Sequence, residues 1–176
     1  MRKIGSFLLA LSLLVGIMIP TAAAQETQPA PREVYLEPEK IDEETIVYRD
    51  ENGDILAISK PADNRSNALL PLSTNATVYG ASWTLSPSQY RHDTRKFNAT
   101  NSVTIYFDVD FSRTGETYIG YYADRTDTYY WLNDPYTYGA KNYVIIGGGT
   151  NIYFAIKNSS NYNITYDARY STAPFS

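Results

Sequence analysis

The chain has 176 residues and a formal charge of −4, a length that holds one ordinary domain plus an extension. It has no cysteine and a single histidine, His92, which excludes disulfides, a thiol nucleophile, Cys-ligated metals and a multi-histidine metal centre. Charged residues are 19%, aromatic residues 14% and pI is about 5.0, which excludes a charge-rich disordered chain, and no basic stripe for nucleic acid stands out.

Arg2 and Lys3 precede an apolar stretch from Ile4 to Ile19. Pro20 breaks it, and Ala22-Ala23-Ala24 supplies the small residues of a cleavage site. Residues 1–24 therefore read as a secretory signal peptide, with an apolar stretch shorter than the ~20 residues a membrane span needs. The expected product is a secreted, extracellular chain from Gln25 onward, without membrane attachment after cleavage. Secretion without disulfides is commoner in Gram-positive bacteria than in eukaryotic extracellular domains.

Between Glu26 and Asp54 ten acids face three bases, whereas the rest of the chain is close to neutral. Five of the nine prolines also fall between Gln25 and Pro71. Residues 25–76 thus read as an acidic, partly disordered leader. Within it, Ile46-Val47-Tyr48 and Ile55-Leu56-Ala57-Ile58 flank Asn52-Gly53, which predicts a hairpin over 45–58 with a two-residue turn.

From Thr77 the period becomes two. Val78–Leu85 and Tyr90–Phe97 are weak strands around Pro87. Val103, Ile105, Phe107, Val109 and Phe111 alternate with polar partners and form the clearest strand. Thr117–Tyr122, Thr128–Leu132, Tyr143–Ile146, Ile152–Lys157 and Tyr162–Asp167 follow, separated by turn residues that include Gly147-Gly148-Gly149. These are eight candidate strands with no sustained helical period. They predict an all-β antiparallel sandwich or jelly roll over 77–170, with a tail at 171–176.

Lys96–Asn98, Thr104–Phe107, Tyr118–Tyr122, Gly147–Gly149, Tyr153–Ile156 and Tyr162–Tyr166 together form an ordered pattern. In this pattern the chain resembles small secreted β-sandwich modules of Gram-positive bacteria, of the pre-peptidase C-terminal type. The Asp-x-Asp-Leu-Tyr element common in those modules is missing. The resemblance implies an accessory module without chemistry and carries over no site residues.

Asp108 and Asp110, two apart on one strand, project from the same face about 6–7 Å apart. They read either as a Ca2+ pair, helped by Glu116 or Asp124, or as a solvated face; the second is favoured and no cofactor is expected. A glycosidase pair needs a cleft that a small sandwich has little room for. His92 and Asp93, adjacent on a strand, point to opposite faces, so His92 reads as a surface residue. Gly147–Thr150 lacks the helix and lysine of a phosphate loop and reads as a turn. The five Asn-x-Ser/Thr triplets, at Asn64, Asn75, Asn98, Asn158 and Asn163, are as expected of an Asn- and Ser/Thr-rich chain.

Tyrosine is the distinctive residue: 15 of 17 lie between Tyr79 and Tyr170. Tyr106, Tyr118, Tyr122 and Tyr153 fall on the polar parity of their strands, and Tyr129 or Tyr130 accompanies Trp131 or Leu132 outward. Outward tyrosines either pack across strands or bind a ligand, because each offers a flat apolar ring with a hydrogen-bonding tip. The reading is a secreted non-catalytic binding or adhesion module for carbohydrate or cell-wall polymer. The alternative is a structural or protein-interaction module at the cell surface; an enzyme is the least favoured.

Overall fold

A computed structural model describes residues 30–61, 77–147 and 150–173. The expected signal peptide, Asn64, Asn75 and the Gly148-Gly149 turn lie outside the described residues. Among the described residues there is no helix, and twelve strands make one mixed sheet, nearly closed into a barrel. They are β1 (Arg32–Lys40), β2 (Ile46–Arg49), β3 (Ile55–Pro61), β4 (Tyr79–Leu85), β5 (Tyr90–His92) and β6 (Phe97–Ala99). The remaining six are β7 (Ser102–Phe111), β8 (Thr117–Ala123), β9 (Thr128–Leu132), β10 (Gly139–Gly147), β11 (Thr150–Asn158) and β12 (Ile164–Ser171).

The strand order is β4-β12-β7-β10-β3-β2-β1-β9-β8-β11-β5, with β6 also on β11. The all-β class is as expected, but the described strands number twelve rather than eight and form one continuous mixed sheet. The expected strand over Tyr90–Phe97 splits into β5 and β6, both paired with β11. Within the expected leader the hairpin over 45–58 is present as β2 and β3, but the partly disordered reading fails over 32–61, because β1, β2 and β3 are integral to the sheet and belong to one compact unit with the other described strands.

β1 explains the closure. Its first half, Arg32–Leu36, runs parallel to β9, and its second half, Glu37–Lys40, runs antiparallel to β2. The change of partner falls just before Pro38, a residue without an N–H to donate to a second neighbour. Asn133 caps the switch, its backbone N–H donating to the Leu36 carbonyl at 3.1 Å. The β2–β3 hairpin has three loop residues rather than two. Gly53 takes φ +86°, its N–H returns to the Asp50 carbonyl, and Asp50 pairs with Asp54. This is a turn with a glycine bulge, and a further register shift follows at Tyr48/Arg49.

The interior is built by the alternation read from β7 onward. Ile105, Phe107 and Val109 are buried, as are Ile119 and Tyr121 on β8 and Ile152, Phe154 and Ile156 on β11. Ring centroids run Phe97–Tyr170 5.9 Å, Tyr170–Phe154 4.9 Å and Phe154–Phe107 5.7 Å, which ties β6, β12, β11 and β7 across the core. Asn158, one of the Asn-x-Ser/Thr residues, is fully buried, and its amide donates to the carbonyls of Leu85 and Tyr162. It is a structural clamp, inaccessible to modification in the folded chain.

Candidate functional site

A second aromatic cluster stands apart from this core, on the outer face of β5, β11, β8, β9 and β1. Tyr129, Trp131 and Ala155 are its buried centre, with Tyr90, Tyr118 and Tyr122 packed around them. Strand register builds it in two rows. Tyr153, Tyr122 and Tyr129 lie opposite one another on β11, β8 and β9, and Ala155, Gly120 and Trp131 form the row beside them.

In the second row the small residues Ala155 and Gly120 form a floor beside Trp131. A Cβ at Gly120 would lie 2.0 Å from the Tyr130 carbonyl oxygen and 2.9 Å from Trp131 Cε3. The trough left by Gly120 is therefore filled by the chain's own indole. Tyr90 reaches over the floor, 4.6 Å from the Tyr129 ring and 6.0 Å from Trp131. His92 stacks on Tyr122 at 4.4 Å and 8°, and Tyr153 lies 5.4 Å from His92 and 5.9 Å from Tyr122.

Polar groups hold the ring tips. Tyr118 donates to Glu116 Oε1 at 2.9 Å, and Tyr122 donates to Asp127 Oδ1 at 2.7 Å. Asp127 sits at φ +48° at the end of the β8–β9 turn, a conformation that Asp tolerates better than most residues. His92 Nδ1 and the Tyr129 hydroxyl are 2.6 Å apart. At the β1 side, Glu33 Oε2 accepts from Trp131 Nε1 at 2.8 Å and from Lys157 Nζ at 2.5 Å. Lys157 also donates to the Tyr35 hydroxyl at 2.6 Å, and the Tyr35 ring meets Tyr118 edge-on at 5.3 Å.

The ionisation of these groups follows from the packing. Burial, with the hydrogen bond to Glu116, pushes Tyr118 up to about 12. The bond to Asp127, with burial, pushes Tyr122 up to about 12. Tyr129 is also raised, by burial and then by its neighbouring tyrosines. Burial pulls His92 down. Burial lowers Lys157 too, but its bonds to Glu33 and Tyr35 outweigh that and leave it above its ordinary value. At neutral pH the face therefore offers neutral phenols, a neutral imidazole and one internal ion pair.

Of the expected site residues, Tyr118, Tyr122 and Tyr153 come together here. Tyr106 does not: it lies on the outer side of β7, between β10 and β12, and β7 is far from β8 in the strand order. Asp108 and Asp110 share that other face. Asp108 Oδ2 binds Arg169 Nη2 at 2.6 Å, and Asp110 lies opposite Asp167. Their expected helpers are engaged elsewhere, Glu116 by Tyr118 and Asp124 by Lys96 at 3.9 Å. Among the described residues no three His, Asp or Glu side chains converge as a metal-binding group. His92 is not the bare surface residue expected, since it is wedged between three tyrosines.

Glu33, Tyr35, Tyr90 and Lys157 are members of the face that the sequence reading did not single out. The parity of Tyr90 with His92, and of Lys157 with Tyr153, carries a signal for two of them. Glu33 and Tyr35 could not be placed without β1. No family model, curated protein or solved structure matches this chain.

Proposed function

We propose that the protein is a secreted, non-catalytic binding module that takes a polysaccharide on this outer aromatic face. The observation that carries the reading is the separate cluster around Trp131, on a sheet face that the main core does not use. Tyrosines held on strands lose little entropy on binding and present both an apolar ring and a polar tip. Trp131 is fully buried, so ligand stacking falls to the partly exposed rings of Tyr35, Tyr90, Tyr118, Tyr122 and Tyr153. Tyr118 and Tyr122 stand about 13 Å apart along β8, long enough for an extended chain. The fold that goes with this reading is sandwich-like, in the manner of the accessory modules it resembles. Contact of Phe107 with Phe154 between strands distant in the sheet order supports two facing layers.

A glycan array with the purified protein tests the reading, with the Tyr118→Ala/Tyr122→Ala double variant alongside. Loss of two aromatic anchors should remove about 2 kcal/mol or more of binding, roughly 30-fold. A folded double variant that binds every glycan as the parent does refutes it and favours the protein-contact alternative. Secretion is tested separately, by amino-terminal sequencing of exported protein, which should begin at Gln25.

A further inference from the structure

We infer that the ligand is an uncharged polysaccharide and that the face rejects anionic ones; this rests on the binding reading above. The warrant is where the carboxylates stand. Glu116 and Asp127 sit at the phenolic tips of Tyr118 and Tyr122, one beyond each end of β8. A chain laid along the ring row passes both. Glu33 adds a third carboxylate at the β1 side, where one oxygen serves Trp131 and Lys157 together.

The nearby cations do not offset them. Lys157 is only 13% exposed in its side chain and is bound to Glu33. Lys96 faces Asp124 and Arg32 pairs with Glu51. Arg91 lies over the Trp83 ring, on the opposite parity of β5 from Tyr90 and His92, and Arg125, exposed in the β8–β9 turn, lines a cavity with the inward-facing Tyr121. Among the described residues, an anionic polymer on this face meets a carboxylate at each end of β8, and Lys157, the base on the face itself, is already paired with Glu33. Like-charge contact is a strong means of excluding a wrong partner. A neutral sugar chain instead meets acceptors: each carboxylate can take a sugar hydroxyl as well as its tyrosine.

Hydroxyethylcellulose and carboxymethylcellulose, which share a backbone and differ in charge, make the test. The purified protein should bind the neutral polymer at least ~10-fold more tightly at low salt, taking about threefold for each end carboxylate. Added salt should narrow that gap, because screening weakens repulsion. The Glu116→Gln/Asp127→Asn variant keeps an acceptor at each phenol and should cut the neutral-to-anionic ratio about tenfold. Equal or tighter binding of carboxymethylcellulose by the parent overturns the inference and leaves the aromatic-face reading standing. So does an unmoved ratio in the variant. Binding of neither polymer, or binding indifferent to Tyr118→Ala/Tyr122→Ala, overturns the aromatic-face reading and this inference with it.

Discussion

Gly120→Ala is the most informative single change in the molecule. Alanine in a strand is ordinarily better than glycine by roughly 0.5–1 kcal/mol. Here the added methyl would lie 2.0 Å from the Tyr130 carbonyl oxygen, which is backbone and cannot rotate away. It would also lie 2.9 Å from the Trp131 ring. Relief requires β8 and β9 to separate by more than ~1 Å and the indole to lift. Overpacking of a well-filled site costs about 1–3 kcal/mol, a clash with backbone falls at the top of that range, and after the ordinary gain from alanine a net loss of about 2 kcal/mol is expected. That corresponds to a fall in Tm of roughly 4–8 °C for a chain of this size. Gly80→Ala is the control, because its methyl would be 3.8 Å from the nearest atom, Ala168 O, an ordinary contact. Urea melts followed by tryptophan fluorescence report both. If Gly120→Ala is no worse than Gly80→Ala, the indole does not lie over β8 as described, and the architecture of the face is wrong.

Phe107→Ala should cost about 3–5 kcal/mol, because the ring is fully buried against Phe154 and Tyr136. Asp108→Ala should cost under ~1 kcal/mol, since its partner Arg169 is 62% exposed; denaturant melts giving the reverse order would mean that the faces of β7 are inverted. Tyr170→Phe should stabilise by about 1 kcal/mol, because the Tyr170 hydroxyl is buried without a hydrogen-bond partner among the described residues, and calorimetry showing a loss instead would reveal a partner for it. Alkali should unfold the protein. Tyr118, Tyr122 and Tyr166 are each raised to about 12 from 10.0, so the folded chain keeps protons that the unfolded chain releases. Their contribution is complete below about pH 10 and is lost as pH rises toward 12. Urea stability that stays flat to pH 12 would contradict those environments.

The sequence announces side-chain parity well and strand partners poorly. From β7 to β12 the inward set, Ile105-Phe107-Val109 and Ile152-Phe154-Ile156 among others, follows from period two alone. Parity also sends Tyr118, Tyr122 and Tyr153 outward. It cannot say that Tyr106 faces away from them, because that depends on which strands are neighbours, a long-range matter. β1 shows the limit most clearly. Arg-Glu-Val-Tyr-Leu-Glu-Pro-Glu-Lys has one fully buried residue, Leu36, so its composition resembles a solvated tail. The sheet accepts it because one face of the strand is open to water and because Pro38 falls where one edge has no neighbour. The space beside Gly120, between the outward Tyr118 and Tyr122, follows from parity; its filling by Trp131 does not, since the cross-strand pairing of Trp131 is set by a turn four residues long.

β1 also imposes a timetable. Glu33 and Trp131, which meet in the finished face, are 98 residues apart in the chain. At the usual ~5–20 residues per second of synthesis, β9 emerges about 5–20 s after the strand it must pair with. Throughout that wait Arg32–Leu36 is an unpaired edge, the kind of segment that seeks a wrong partner. Glu33, Glu37 and Glu39 repel neighbouring copies, and Pro38 spoils the ladder that a stray strand would need. The acidity that makes this stretch look like a spacer is what allows it to idle in water until its place in the sheet exists.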